Sequence, residues 1–443
     1  MFHVRANRFL LAATLALVVF IPVQGVRAEG AVALIDAHTH LGVASCSNSV
    51  CHGAAQPFKD AAVLRNEFAT WQEFDPHSKS YARLQTPAAR SITAKLGLGD
   101  PTTVQVCLDC HTENVPVARR GERFQIDDGV GCEACHGGAA DWIASHAAKN
   151  ARHADNLGKG LYPTDQPLAR ARLCLSCHVG TPDRAITHRI MGAGHPRLSF
   201  ELDTFTWLHP HYRIDDGWVA RKGAWSGVRD WALGQGVAAD SLLAQLSDPK
   251  FANHGLFPEL VLFDCNACHK RMSDHSWAPR QGTGLGPGTV RLNDANLVMF
   301  RHVMTAIDPA ASKVLLDQTR ALHRATTESR EATMAATKRL RATLTTDFDR
   351  VAAFDFDAAA LDRILASIIA DGKRGEYRDF AAAEQAGMAL QSLLVAYENA
   401  GTDATQIAAM RSQLDLVYET IKSDSAYSMS RFVAALQGMR NAH

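Results

Sequence analysis

The chain has 443 residues with 46 basic and 46 acidic side chains, so its formal net charge is zero. This balance argues against a nucleic-acid-binding protein that uses a basic surface, because neutralising phosphates requires an excess of Lys and Arg. Hydrophobic residues make up 47% of the chain and charged residues 21%, a composition that excludes a disordered protein.

The N-terminus has the pattern of a cleaved export signal. Arg5 and Arg8 precede an apolar run over residues 9–21, and Val26-Arg27-Ala28 has the small or apolar residues of a cleavage site. The run is short for a membrane span, and an uncleaved anchor is the alternative. We expect residues 1–28 to be removed as a signal peptide and the mature protein to be located in the periplasm.

Every cysteine belongs to a close pair that is followed at once by a histidine. Four pairs have the spacing C-x-x-C-H, which is the attachment signature of c-type haem, and the first pair has four intervening residues instead of two. The five motifs are Cys46 and Cys51 with His52, Cys107 and Cys110 with His111, Cys132 and Cys135 with His136, Cys174 and Cys177 with His178, and Cys265 and Cys268 with His269. In such motifs the two thiols bond to the porphyrin edge, and the histidine is the proximal ligand of the iron.

These motifs predict five covalently attached haem c groups. Zinc is one alternative, but a tetrahedral zinc site needs no histidine after each cysteine pair. Disulfides are another, but C-x-x-C bridges are redox-active loops rather than a scaffold.

Around these motifs the sequence resembles the periplasmic multihaem c-type cytochromes related to the nitrifiers' tetrahaem electron carrier, to hydroxylamine oxidoreductase and to the cytochrome c nitrite reductases. The resemblance extends over about residues 36–302, and it is carried by residues 46–52, 71–81, 129–138 and 188–198. It implies haems in contact with one another, mostly with two histidine ligands each. It also implies electron transfer between periplasmic redox proteins or from a membrane-bound quinol oxidoreductase, and it leaves association into a homo-oligomer open.

A second histidine on the far side of an iron makes the iron six-coordinate, gives it a low potential and closes it to substrate. The resemblance implies such a distal role for His77, in the H-x-x-x-Y segment between the first two motifs. His146, ten residues after His136, is another candidate. The remaining candidates are His40, His188, His195 and His302. For each of them the alternative is an ordinary hydrogen-bonded histidine.

The composition of the chain changes near residue 293. Before it, five cofactors in residues 29–292 leave little chain for a conventional core, which predicts short helices and long loops. After it, residues 293–443 contain no cysteine and no tryptophan. Asp308-Pro309 predicts a helix start, and residues 361–368 and 390–397 repeat apolar side chains at helical spacing, with Asp357 and Thr402 as caps and Gly372 and Gly401 as ends. We therefore predict a mainly α protein, with a pentahaem domain followed by a C-terminal antiparallel helical bundle.

The leading functional hypothesis is an electron carrier without catalytic residues. The alternative is an oxidoreductase of a small nitrogen compound, nitrite or hydroxylamine, at one iron that lacks a distal histidine. His209, His211, Tyr212 and Arg213 are the candidate residues for such a site, because they could donate protons and bind an anion. Otherwise His209 or His211 ligates a haem and Arg213 pairs with a propionate. All five motifs end in histidine, unlike the lysine-containing catalytic motif of the nitrite reductases, and hydroxylamine oxidoreductase has three more haems.

Overall fold

The computed structural model describes residues 37–59, 63–208, 210–249, 256–269, 280–286 and 288–443. The predicted signal peptide and His209 therefore lie outside the described residues. Within them the chain forms 20 α-helices and no strand, apart from three isolated β-bridges. The prediction of a mainly α protein is confirmed. None of the described helices is long and apolar enough to cross a membrane.

The first half of the described chain consists of short helices joined by loops. Polar side chains cap several of them: the Thr86 side chain accepts from the Ala89 amide at the start of the helix Pro87–Leu96, and the Thr187 side chain accepts from the Ile190 amide at the start of the helix His188–Ala193. The helices are α1 Glu67–Phe74, α2 Ser80–Leu84, α3 Pro87–Leu96, α4 Gln105–His111, α5 Cys132–His136, α6 Ile143–His146, α7 His153–Leu157, α8 Pro167–His178, α9 His188–Ala193, α10 Leu202–Leu208 and α11 Asp216–Lys222. Short 3₁₀ turns lie at Val43–Ser45, Pro76–Lys79, Val117–Arg119 and Ile126–Asp128.

The second half contains the long helices. They are α12 Gly227–Ser247, α14 Ala295–Ile307, α15 Pro309–Glu328, α16 Arg330–Ala353, α17 Ala358–Arg374, α18 Phe380–Asn399, α19 Ala404–Thr420 and α20 Met429–Ala442, with the short α13 Cys265–Cys268 between the first two. The 3₁₀ turns of this half are Leu260–Leu262, Gln281–Thr283 and Asp424–Ala426.

The predicted helix ends can be compared with the observed ones. Asp308 and Asp357 cap α15 and α17 through their side chains, as predicted. The start of α19 is capped by Asp403 instead of Thr402, because the Asp403 carboxylate accepts from two amides of the first turn. Gly372 does not end α17, which continues to Arg374 and stops at Gly375 in the left-handed conformation.

A continuous apolar core joins the long helices. Helix α12 belongs to the predicted haem domain by sequence, yet it packs against α8, α14, α16 and α18. Its Trp231 and Leu243 side chains are fully buried in this core. Among the described residues, the core and the side chains packed on it begin at Leu168 and extend to the C-terminal helix. The chain before Leu168 therefore contributes little to the main core, although it contains three of the five cysteine motifs.

A buried ion-pair network fixes the fifth motif on the bundle. Arg280 is 3% exposed and pairs with Asp294 and Asp379, which belong to the bundle side. Arg291 pairs with Asp379 and also with Asp264, the residue before Cys265. Burial and the nearby Asp379 charge together raise the pKa of Asp264 to about 7, against the opposing charge of Arg291. The network thus ties the start of α13 to α14 and α18.

Candidate functional site

The four C-x-x-C-H motifs lie on or at the end of short helices. One helical turn separates the two cysteines of each pair, so both thiols project from the same side of the helix, and the histidine follows at its end. The first motif instead forms a loop, in which the His52 amide donates to the Cys46 carbonyl at 3.3 Å. All ten cysteines are free of disulfide bonds. Each pair is therefore available for attachment of a porphyrin.

Four of the five proximal histidines face a second imidazole across a gap. An iron atom bound at about 2 Å to a nitrogen on either side would separate the ring centroids by roughly 6 Å. The observed centroid distances are 6.0 Å for His52 and His146, 6.5 Å for His111 and His195, 5.9 Å for His178 and His77, and 6.1 Å for His269 and His188. The residues present therefore fit four haem irons, each held between two imidazoles.

Hydrogen bonds orient several of these imidazoles through Nδ1, which leaves Nε2 for a metal. The His52 Nδ1 donates to Glu67 at 2.9 Å, and this contact raises the pKa of His52. The corresponding contacts elsewhere are His77 with Asp75 at 2.9 Å, His111 with the Ser80 carbonyl at 3.1 Å and His195 with the Pro196 carbonyl at 2.8 Å. Ligand histidines in metal sites show the same use of the second nitrogen.

The pairs differ in the angle between their ring planes. The planes of His52 and His146 make an angle of 16°, and those of His188 and His269 make 24°. The other two pairs are close to perpendicular, at 78° for His77 with His178 and 80° for His111 with His195. The four sites thus fall into a near-parallel and a near-perpendicular class.

The third motif differs from the others. Within the described ranges, no imidazole stands opposite His136 at the distance seen in the four pairs. Burial, followed by the charges of the neighbouring imidazoles of His211, His52 and His146, lowers the pKa of His136 to about 4. His211 is therefore close enough to influence His136, but it forms no ring pair with it among the described contacts.

The neighbours of His211 include part of the candidate catalytic set. The Tyr212 ring lies 5.4 Å from the His211 ring, and burial raises the pKa of Tyr212 to about 12. Arg213 is largely exposed and pairs with Asp215 at 3.5 Å. The structure thus brings the His211 and Tyr212 rings together and leaves Arg213 at the surface.

Contacts between cysteines connect the motifs. Cys46 and Cys132 are close enough to shift each other's pKa, downward for Cys46 and upward for Cys132, which makes the first and third motifs neighbours. The Cys177 thiol contacts the Asp109 carbonyl oxygen at 4.0 Å, which brings the second and fourth motifs together. Helix α9 begins at His188, which faces the fifth motif, and His195 just beyond its end faces the second. The motifs are therefore neighbours in space rather than separate sites.

Two of the distal candidates occupy other positions. His302 is fully buried in the bundle, where its Nδ1 lies 2.8 Å from the Ser367 hydroxyl and its Nε2 lies 3.0 Å from the Tyr377 hydroxyl. His40 is also fully buried, and its Nδ1 contacts Glu113 at 2.6 Å. His302 uses both ring nitrogens for contacts within the bundle, so we correct the expected ligand set by leaving it out. His40 forms none of the four pairs, but its Nδ1 is held by a carboxylate like that of His52, and its distal role stays a prediction.

The sequence did not single out the carboxylates that orient the ligands. Asp75 stands two residues before His77, a spacing at which its side chain reaches both the backbone and the ring of that histidine. Glu67 is fifteen residues from His52, and no local pattern connects them. Only the packing of α1 against the first motif brings Glu67 to this ring.

Comparison with known proteins agrees with these sites. The family model described as cytochrome c554 and c-prime matches residues 45–137, a segment that contains the first three motifs. No curated protein and no solved structure matches the chain. Proteins of this kind carry covalently bound haem c. Over residues 45–137 the chain is thus similar to the family of cytochrome c554 and c-prime, and this similarity supports a multihaem c-type cytochrome.

Proposed function

We propose that the protein is a periplasmic pentahaem electron carrier. The observation that supports this most directly is the set of four imidazole pairs with centroid distances of 5.9–6.5 Å. The bound haems supply one-electron oxidation and reduction. A histidine on both faces of an iron leaves no position for substrate, which suits a carrier better than an enzyme.

The chain's own residues contribute position and insulation. The oriented histidines hold the rings in place, so that little rearrangement accompanies the gain or loss of an electron. The cysteine contacts between motifs keep neighbouring attachment sites together, and they support transfer from one site to the next. The expected partners are periplasmic redox proteins or a membrane-bound quinol oxidoreductase, as the predicted export signal also suggests.

The haem count and the export signal can be tested together by mass spectrometry of the purified holoprotein. We expect the mass of a chain beginning at Glu29 with five haems attached, and a coulometric titration that takes up five electrons per chain. A mass with four or fewer haems in fully matured protein would contradict the pentahaem proposal. Retention of residues 1–28 in the exported protein would contradict the cleaved signal peptide.

A second function, conversion of nitrite or hydroxylamine, is favoured by the third motif. His136 has no imidazole partner among the described ring contacts, His211 is close enough to lower its pKa, and the Tyr212 ring lies 5.4 Å from the His211 ring. An imidazole and a phenol next to an iron with a free position could supply protons to a bound substrate.

This second function predicts that nitrite or hydroxylamine changes a high-spin ferric signal of the holoprotein and is turned over with an electron donor or acceptor. His211→Gln should then reduce turnover by at least tenfold, because a proton donor of this kind contributes about 10²-fold or more. His153→Gln is a control, since His153 is held by Asp165 and pairs with no proximal histidine. Absence of a high-spin signal and of turnover would leave the carrier function alone.

A further inference from the structure

Arg184 is held over the fourth motif by a tight turn. Thr181 and Arg184 exchange two backbone hydrogen bonds, each of 3.0 Å, across Pro182 and Asp183. The turn begins after Gly180, whose φ of +98° suits glycine, and a Cβ there would lie 2.5 Å from the Arg184 carbonyl oxygen. The backbone therefore returns toward α8 and directs residue 184 to Cys177.

The guanidinium of Arg184 is buried and has unusual partners. Arg184 is 5% exposed, and its Nη1 lies 3.1 Å from the Cys177 sulfur. Its Nε has no hydrogen-bond partner, and no carboxylate pairs with this residue in the part of the chain that the structure describes. An arginine keeps its charge under all ordinary conditions.

The guanidinium of Arg184 lies where two motifs meet. The Cys177 sulfur that it contacts at 3.1 Å also lies 4.0 Å from the carbonyl oxygen of Asp109, the residue before Cys110. The guanidinium thus lies at the place where the second and fourth attachment sites meet.

We propose that Arg184 is a tuning residue that raises the midpoint potentials of the two haems attached through Cys110 and Cys177. Reduction adds a negative charge to a haem, and a fixed positive charge in a poorly solvated position favours the reduced state. Electrons entering the protein would therefore settle preferentially on this pair. The proposal rests on haem attachment at the second and fourth motifs.

The test is a spectropotentiometric titration of matched holoprotein variants. Arg184→Gln should lower two of the five midpoint potentials, and Arg184→Lys, which keeps the charge, should retain most of the wild-type values. Arg411→Gln is the control, because Arg411 forms an exposed pair with Glu398 on the bundle and should leave all five potentials unchanged. Five unchanged potentials in Arg184→Gln would overturn the proposal.

Haem content separates this proposal from the proposed function. Mass spectrometry gives the number and position of the haems attached to each variant and to the wild type. A wild-type protein without haem at the second or fourth motif would contradict the carrier function itself. If Arg184→Gln does not mature with five haems, Arg184→Met decides, since it keeps a long unbranched side chain and removes the charge. Arg184→Met should lower the same two potentials, and unchanged potentials in that variant would equally overturn the proposal.

Discussion

Replacing His77 with Met should raise one of the five midpoint potentials by on the order of 0.1 V, within the ~0.8 V range over which axial ligands set haem potentials. His77 faces His178 at 5.9 Å, and Asp75 holds its Nδ1. A thioether stabilises ferrous iron relative to an imidazole, so the haem of the fourth motif should become easier to reduce. The other four potentials should change little, because His77 belongs to no other pair.

A spectropotentiometric titration of the purified holoprotein measures this effect. His153→Met is the matched control, because His153 contacts Asp165 and stands opposite no proximal histidine. It should titrate like the wild type. If His77→Met also titrated like the wild type while retaining five haems, His77 would not be the ligand opposite His178. A shift of all five potentials would show a general disturbance instead.

A chain produced without haem attachment should lose the structure of residues 37–166 and keep the helical bundle. The main apolar core begins at Leu168 and joins α12 to the helices that follow, so it does not depend on the porphyrins. The first three motifs lie outside this core, where helices of a few residues are not stable by themselves. Haem removal should therefore expose this segment while leaving the bundle folded.

Limited proteolysis followed by mass spectrometry distinguishes the two regions. In the haem-free chain we expect rapid cleavage within residues 37–166 and a resistant fragment that contains α12 and α14–α20. The holoprotein digested under the same conditions is the control and should resist cleavage in both regions. Equal resistance of the two regions in the haem-free chain would contradict the view that the porphyrins form the core of the first half.

The parts of this structure that are encoded locally could be predicted from the sequence. The cysteine motifs depend on residues within one helical turn, and the start of α15 depends on Asp308 and Pro309. The side chains at helical spacing in α17, such as Leu361 and Ile364, are buried as expected. In each case, neighbouring residues determine the local geometry.

The histidine that stands opposite each proximal histidine could not be predicted from neighbouring residues. His146 is ten residues from His136, yet it faces His52, which is 94 residues away. His302 has the helical environment expected of it, but the packing of α14 in the bundle turns its ring to Ser367 and Tyr377. These contacts of His146 and His302 depend on how distant segments of the chain pack, and the spacing of residues along the sequence does not predict them. The position of α12 in the bundle also depends on the packing of distant segments.

Electron paramagnetic resonance of the oxidised holoprotein tests most directly the claim that four irons each lie between two imidazoles. The angle between the ligand planes changes the splitting of the iron orbitals, so near-parallel and near-perpendicular pairs give different low-spin signals. We predict two haems of each class, from angles of 16° and 24° and of 78° and 80°. High-spin signals from more than one haem, or low-spin signals of a single class, would contradict the account.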